Sequence, residues 1–195
     1  MKQFLLLSLI SYFLGSLNIS YIFAKFLKNI DIRDFGSGNP GTTNVLRVLG
    51  FWPALFVFII DILKGVFCVF LATYFGTNTY MLFSSLFVIV GHNWPLWLRF
   101  KGGKGVATSV GIAFALNFKI ALIIFLISFF IFLRTKTMSL ASLTFVFLLP
   151  LFFYLFGLTY IYVILAVIIC FLAVIRHRTN IINLMHKKER KINFK

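Results

Sequence analysis

Long apolar segments occupy most of this 195-residue chain and limit what it can fold into. A helix needs about 20 apolar residues to cross the hydrocarbon core of a membrane. With 61% hydrophobic and 12% charged residues, the chain is too apolar for a soluble domain. The sequence therefore predicts an all-α polytopic membrane protein, folded as one domain over residues 1–195. Its seven predicted transmembrane helices, some of them short, lie at about 3–24, 51–74, 79–98, 105–117, 119–133, 139–156 and 159–175.

The run at 105–117 differs from the others because it is short and contains Thr108, Ser109 and Gly111. Irregular or polar backbone is tolerated at membrane depth where protein or a water-filled cavity surrounds it. This run is therefore predicted to be either a short packed helix or a re-entrant segment that lines a cavity.

The basic residues are concentrated between these runs. If the N-terminus lies outside, segments 25–50, 99–104, 134–138 and 176–195 face the cytoplasm and contain 16 of the 19 lysines and arginines. Cytoplasmic loops of membrane proteins carry such an excess. The sequence thus predicts an outside N-terminus and a cytoplasmic C-terminus, with a basic tail over 181–195. The net charge of +15 then reflects topology and contact with membrane lipids, and no nucleic acid is expected because no recognition motif accompanies the charge.

The stretch GSGNPGTTN at residues 36–44 begins with the G-x-G-x-x-G pattern of dinucleotide-binding loops. That site needs a βαβ unit around the glycines, which a segment between two membrane helices cannot supply, so dinucleotide binding is excluded. Gly36, Gly38 and Gly41 allow positive φ, and exposed N–H groups in such a turn form an anion-binding nest. Further donors come from Ser37, Asn39, Thr42, Thr43, Asn44 and the guanidinium of Arg47. The alternative is an ordinary turn-rich loop.

The stretch KGGKGVATS at residues 101–109 combines three glycines with Lys104 at the start of a predicted helix. It is not an ATP-binding Walker A loop, because Arg99 replaces the first glycine and Gly105 replaces the residue that holds magnesium. Backbone N–H groups, the helix dipole and the lysine would still point at one anion. The stretch predicts a phosphate cradle, with a basic loop that merely follows the positive-inside rule as the alternative.

A few other residues can carry chemistry. Asp61 and Lys64 lie three residues apart on one face of a predicted span, which favours a mutual structural pair over catalysis. His92 has either a catalytic or a packing and hydrogen-bonding role, while His177 ends a span on the side of the glycine loops. With only four acidic residues in the chain, a paired-carboxylate or multi-metal site is nearly excluded, and no cofactor or metal is predicted. The polar clusters suggest one convergent cationic site for anionic ligands.

Three segments together resemble the motifs of a known family: GSGNPGTTNVLR (36–47), GHNWPLWLRFKGGKGVATS (91–109) and HRTN (177–180). In order and spacing they are similar to those of the PlsY family, bacterial membrane acyltransferases. The resemblance implies transfer of a fatty acyl group from acyl-phosphate to the sn-1 hydroxyl of glycerol-3-phosphate, giving lysophosphatidic acid and phosphate. It also implies a multi-pass protein of the bacterial inner membrane, with seven spans and an active site that faces the cytoplasm.

The motifs and this resemblance together define the candidate site. Its expected catalytic residues are Ser37, Arg47, Lys104, His177 and Asn180. Its expected substrate-binding residues are Gly38, Asn39, Thr43, Asn44, His92, Gly102, Gly103, Gly105, Thr108 and Ser142. Either His177 or a phosphate oxygen of the donor would accept the proton of the attacking hydroxyl.

The chain departs from the family pattern at several positions. Thr42 stands where alanine is common, and Thr179 replaces a frequent glutamate. Where the family often carries a Gly-Thr-Glu run in the tail, this chain reads His186-Lys187-Lys188-Glu189, and Glu189 corresponds loosely to the family's glutamate. A small-anion transporter is the alternative function, although it predicts polar breaks on both faces of the membrane. A purely structural membrane subunit is the third possibility.

Overall fold

The computed structural model describes residues 2–192, and this part of the chain is helical without a β-strand. Hydrophobic runs that satisfy their own backbone hydrogen bonds form helices, as the membrane requires. Two single 3-10 turns, at Ile32–Asp34 and Leu96–Leu98, lie in the loops. The helices are α1 (Lys2–Ser16), α2 (Ile19–Lys28), α3 (Thr42–Leu49), α4 (Phe51–Phe75), α5 (Asn78–Asn93), α6 (Val106–Leu116), α7 (Phe118–Thr135), α8 (Met138–Leu155), α9 (Tyr160–Arg176) and α10 (Arg178–Met185).

Each of the seven predicted runs contains a helix, so the all-α class is confirmed. Among residues 2–192, five helical segments are long and apolar enough to cross a membrane. They are Gln3–Lys28, Phe51–Phe75, Asn78–Leu98, Phe118–Thr135 and Met138–Leu155. A sixth is the pair Tyr160–Arg176 and Arg178–Met185, which is bent by 68°. The remaining predicted run, 105–117, forms α6, which has only 11 residues. The count of seven spans and the orientation of the termini stay predictions.

The first span is broken. Predicted as one helix over 3–24, it consists of α1 and α2, separated at Leu17 and Asn18, and it continues to Lys28. Asn18 starts α2 as its N-cap, with its side-chain oxygen accepting the N–H of Tyr21 at 2.9 Å. The Lys64 ammonium of α4 donates to the Leu17 carbonyl oxygen, which the break leaves without a helical partner. Side chains thus satisfy the backbone groups on both sides of the break, the Lys64 ammonium at Leu17 and the Asn18 oxygen at the start of α2.

Contacts between Cα atoms divide the chain into two units, Met1–Ala115 and Leu116–Lys195. In the first unit α1 packs along α5, and α4 contacts both α3 and α5. Glycines bring these helices close: a Cβ on Gly15 or Gly91 would overlap the backbone of α5 or α1, respectively. In the same way Gly65 and Gly111 bring α4 and α6 into backbone contact. Small residues permit this approach in membrane proteins, and here they fix α5 and α6, which flank the second glycine loop.

In the second unit α8 packs against both α7 and α9. The largest fully buried side chains of this unit include Phe145, Leu149, Phe153 and Leu165. The chain beyond α10 folds back, because the N–H of Ile192 donates to the Lys136 carbonyl oxygen at 2.8 Å in the turn between α7 and α8. Buried Ile192 belongs to the stretch predicted as a basic tail, so that tail is in part a docked segment.

Candidate active site

The first glycine loop is shaped by the buried side chain of Asn44. Its Nδ2 donates to the carbonyl oxygens of Ile32 and Phe35 at 3.0 and 2.9 Å. Its Oδ1 accepts the N–H of Ser37 at 2.8 Å. Both ends of the amide are thus occupied by the backbone of the loop, which indicates that Asn44 holds the loop in shape. Its predicted contact with substrate stays a prediction.

The conformation of this loop agrees only in part with the expectation from sequence. Gly36 and Gly38 have the positive φ values expected of a nest, +63° and +73°. Gly41 has φ −145° and precedes α3, so it does not use the positive φ that a glycine allows. Ser37 is exposed, whereas Asn39 and Thr43 are half-buried. The N–H of Gly38 donates to the Phe35 carbonyl oxygen at 3.0 Å and is used within the turn.

Helix α3 carries Arg47 in its last turn. Buried Val45 of this helix packs with Ala54 and Val57 of α4, and Leu46 and Leu49 cover the same cluster. Burying these apolar groups fixes α3 at the end of the loop. Arg47 is half-buried, so its guanidinium is attached to a helix whose position the core determines.

Arg33 connects the first loop to the second. Its Nε and Nη2 donate to the Asp31 carboxylate, the latter at 2.6 Å, and its Nη1 donates to the Leu98 carbonyl oxygen at 3.0 Å. The side-chain hydrogen bonds from Arg33 hold the pKa of Asp31 below its usual value. The guanidinium also lies 5.5 Å from the centre of the Tyr21 ring. Both loops are therefore linked within the first unit.

Two further hydrogen bonds attach the loops to the break in the first span. Asn18 Nδ2 donates to the Pro40 carbonyl oxygen at 3.0 Å, in the first glycine loop. Trp97 Nε1 donates to the Ser16 carbonyl oxygen at 2.9 Å, in the segment that leads into the second glycine loop. The first loop and the segment that leads into the second are thus attached to the same break.

The second glycine loop curls over the end of α5. The N–H groups of Gly102 and Gly103 donate to the carbonyl oxygens of Asn93 and His92 at 3.2 and 3.0 Å. These two donors, which sequence reasoning directed at an anion, instead fasten the loop to α5. Gly105 has φ +76°, a conformation that favours glycine. Lys104 between them is half-buried.

Helix α6 starts directly after this loop. The N–H groups of its first turn, residues 106–108, have no partners inside the helix and can serve as backbone donors for an anion. The fully buried side chains of Asn93 and Thr108 make no side-chain hydrogen bond with any residue from 2 to 192. A Cβ on Gly105 would lie 2.9 Å from Asn93 Oδ1, so this amide lies against the loop. Buried polar groups normally have partners, and here water or a ligand can supply them.

Beneath the loop lie three buried ionisable side chains. Lys64 Nζ is 2.8 Å from Asp61 Oδ1, which confirms the predicted pair. The sequence did not indicate that His92 joins it, with Nδ1 3.7 Å from the same Asp61 oxygen. Ion pairs within membrane helices are costly to bury and usually serve a purpose. This one supports the end of α5 to which the glycine loop is attached.

The second unit contains the other predicted residues. Buried His177 lies at the bend between α9 and α10, and its Nδ1 is 2.8 Å from the Ala173 carbonyl oxygen. Asn180 Nδ2 donates to Glu189 Oε1 at 2.6 Å, and Ser139 Oγ donates to the same oxygen at 2.7 Å. Glu189 thereby fixes Asn180 and joins α10 to α8. Ser142, one turn further along α8, is half-buried.

The family profile described as glycerol-3-phosphate acyltransferase matches residues 5–187. The chain is 43% identical over 192 residues to the glycerol-3-phosphate acyltransferase of Prochlorococcus marinus (strain MIT 9515), covering 97% of each chain. It is 43% identical over 194 residues to that of Thermoanaerobacter sp. (strain X514), covering 97% of this chain and 96% of that one. The chain belongs to the glycerol-3-phosphate acyltransferase family.

Solved structures agree with this assignment. The crystal structure of PlsY, an integral membrane glycerol 3-phosphate acyltransferase, in its glycerol 3-phosphate form has a TM-score of 0.93 and 38% identity to this chain. The match covers 98% of this chain and 96% of that one. The lysophosphatidic acid form of PlsY has a TM-score of 0.90. The predicted resemblance to the PlsY family is confirmed, and this acyltransferase is a multi-pass membrane protein.

Sequence reasoning missed several residues that position the site of this acyltransferase. Asn18 and Arg33 tether the first loop, and Asn93 lies against the second. A polar asparagine in the middle of an apolar run was the available signal for Asn18. Arg33 donates to Leu98, 65 residues later in the chain, and Asn93 lies against an irregular loop, so no periodicity in the sequence indicates either contact. The roles of the predicted site residues themselves remain predictions.

Proposed function

We propose that this acyltransferase transfers a fatty acyl group from acyl-phosphate to the sn-1 hydroxyl of glycerol-3-phosphate, giving lysophosphatidic acid and phosphate. The observation that carries the proposal is the glycine loop with Lys104 at the start of α6. Glycines before a helix N-terminus with an adjacent cation form a site for a phosphate group. The related PlsY was crystallised in glycerol 3-phosphate and lysophosphatidic acid forms, which supports the same acceptor and product here.

The chemistry requires two anions to meet. Acyl-phosphate is a mixed anhydride that already carries a good leaving group, so bringing the substrates together against their repulsion is the main task. In this proposal Lys104 binds the phosphate of glycerol-3-phosphate, and Arg47 with Ser37 binds the phosphate of the donor. Folded segments hold Lys104 and Arg47 in place. Both cations can therefore lower the barrier to acyl transfer by positioning the substrates and by stabilising negative charge. Gly38, Asn39 and Thr43 line the donor side, and Gly102, Gly103, Gly105 and Thr108 line the acceptor side.

The resemblance to the PlsY family is the basis for proposing roles in this reaction for Ser142, His177 and Asn180. A neutral imidazole that donates from Nδ1 has its acceptor lone pair on Nε2, and His177 Nδ1 is within hydrogen-bonding distance of the Ala173 carbonyl oxygen. That tautomer suits acceptance of the proton from the attacking hydroxyl. Asn180, fixed by Glu189, orients the acceptor through its amide.

The proton acceptor can be identified with His177→Gln. General-base catalysis contributes about 10²- to 10⁴-fold. If His177 accepts the proton, kcat falls by that factor. If a phosphate oxygen of the donor accepts it, kcat falls by less than about tenfold.

The donor is tested with purified protein and labelled glycerol-3-phosphate. Synthetic acyl-phosphate is supplied in one reaction and acyl-CoA in another, without ATP or magnesium. We expect lysophosphatidic acid from acyl-phosphate alone, because no nucleotide-recognition fold is present in residues 2–192 for the adenine part of coenzyme A. Equal rates with acyl-CoA contradict the proposed donor. Uptake of unchanged glycerol-3-phosphate into vesicles, without product, would indicate a transporter.

The site is proposed to face the cytoplasm of the bacterial inner membrane. The concentration of basic residues in segments 25–50, 99–104 and 176–195 supports this orientation. A cysteine at Lys28 or Lys191 should resist an impermeant thiol reagent in intact cells and react after permeabilisation. A cysteine at Thr77, in the predicted outside loop between α4 and α5, is the matched control and should react in intact cells. Labelling of Lys28→Cys from outside contradicts the orientation.

A further inference from the structure

The ring of His92 fills the space beside Gly103 in the second glycine loop. A Cβ built on Gly103 would overlap His92 Nε2 and lie 2.8 Å from Cδ2. Gly103 is not among the residues with positive φ, so space and not conformation requires a glycine here. The carbonyl oxygen of His92 also accepts the Gly103 N–H at 3.0 Å. His92 thus determines where Gly103 lies through both its ring and its backbone.

His92 lies beside a buried ion pair. Its Nδ1 is 3.7 Å from Asp61 Oδ1, which is too long for a direct hydrogen bond. A carboxylate at this position favours the tautomer with the proton on Nδ1. Asp61 is in turn fixed by Lys64 at 2.8 Å, and Lys64 also donates to the Leu17 carbonyl oxygen. All three side chains are more than 90% buried.

The backbone around His92 leaves this residue little freedom to move. A Cβ on Gly15 would lie 3.0 Å from the His92 nitrogen, and a Cβ on Gly91 would overlap the Tyr12 carbonyl oxygen. Helices α1 and α5 are thus in backbone contact at Gly91 and at the His92 nitrogen. Close-packed interiors shift little when a group is added. A bulkier residue at position 103 would therefore displace the loop and not the ring.

We propose that Asp61, Lys64 and His92 form a positioning triad that sets the place of Gly103, and through it of Lys104, for binding the phosphate of glycerol-3-phosphate. The proposal rests on the proposed function, in which Lys104 binds this phosphate. It assigns no contact with reacting atoms to the triad. The triad acts on acceptor binding through the loop, so the KM for glycerol-3-phosphate is the quantity that it controls.

The sharpest test compares two glycines of the same loop in two backgrounds. Gly103→Ala places a methyl group against the His92 ring. We expect it to raise the KM for glycerol-3-phosphate by about tenfold, because the displaced loop carries Lys104 and part of the overpacking cost then opposes binding. In the His92→Ala background the ring is gone, and the same change should raise the KM by less than about threefold.

Gly102→Ala is the matched control. Its Cβ would overlap the His92 carbonyl oxygen and Pro95 Cδ, and neither atom is removed by His92→Ala. Its effect on the KM should therefore be the same in both backgrounds. If Gly103→Ala also raises the KM by the same factor in both backgrounds, the triad does not act through Gly103 and the proposal is overturned.

The charged members are tested with Asp61→Asn combined with Lys64→Gln. The double variant avoids leaving one buried charge unpaired, which would destabilise the fold. We expect a several-fold higher KM for glycerol-3-phosphate, with the KM for acyl-phosphate and kcat within about twofold of wild type, because only the acceptor loop is displaced. A lower melting temperature with an unchanged KM would show a purely structural role and would overturn the proposal.

Failure of the triad can be distinguished from failure of the proposed function. If the wild type makes no lysophosphatidic acid from acyl-phosphate, the proposed function is wrong, whatever the variants do. Titration calorimetry with glycerol-3-phosphate then still compares the wild type with Gly103→Ala in both backgrounds. If the wild type is active and the two backgrounds respond alike, the function stands and the triad is refuted.

Discussion

Replacing Gly105 by alanine tests the link between loop geometry and substrate binding most directly. Gly105 has φ +76°, where an L-residue costs about 1–2 kcal/mol. The new Cβ would also lie 2.9 Å from Asn93 Oδ1 and 3.1 Å from Ile89 Cγ2. Overpacking of this kind adds about 1–3 kcal/mol. The loop, which carries Lys104, has to move to relieve the backbone strain and the overlap.

If about 2 kcal/mol of this cost opposes binding, the KM for glycerol-3-phosphate rises by roughly thirtyfold. Steady-state kinetics with the acceptor varied at saturating acyl-phosphate measures this. The control is Gly157→Ala in the turn between α8 and α9, where φ is +68° and nothing lies within 4 Å of the added Cβ. It carries the backbone strain alone, which should lower the melting temperature and leave the KM unchanged. A KM for Gly105→Ala within about twofold of wild type would refute the reasoning.

Four further predictions concern single residues. Lys104→Gln should raise the KM for glycerol-3-phosphate by ten- to a hundredfold, because a charge-assisted contact contributes about 1.5–3 kcal/mol. An unchanged KM in folded Lys104→Gln contradicts the phosphate cradle. Arg47→Ala should lower kcat at saturating substrate. Asn44→Ala removes three hydrogen bonds of the first loop and should lower the melting temperature in detergent clearly more than Asn39→Ala does. The fold lowers the pKa of the Asp31 carboxylate below its ordinary value of 3.8. Its ionised form therefore stabilises the fold fully when the pH is above 3.8, and this stabilisation is lost as the pH falls through the lowered pKa. Wild type should therefore melt above Asp31→Asn at neutral pH, and the difference should shrink in acid; a difference that is constant with pH argues against this ion pair.

The sequence alone determines the membrane character and the positions of most helices. A helix in lipid needs only a run of apolar residues, which is a local property of the chain. The glycine-rich stretches are recognisable for the same reason, since turn residues beside a predicted helix act locally. The pair of Asp61 and Lys64 was predictable too, because residues three apart in a helix share a face.

Only the tertiary structure decides which partners the polar groups of these segments have. The break at Leu17 is stabilised by Lys64, 47 residues later in the chain, and Asn44 uses its whole amide on its own loop. Gly102 and Gly103 give their N–H groups to the end of α5, although their sequence pattern directs them at a ligand. His92 joins Asp61 only because α4 and α5 lie side by side. Such contacts depend on helix packing, whose geometry is set by the fit of many side chains at once and therefore leaves no periodic signal in the sequence.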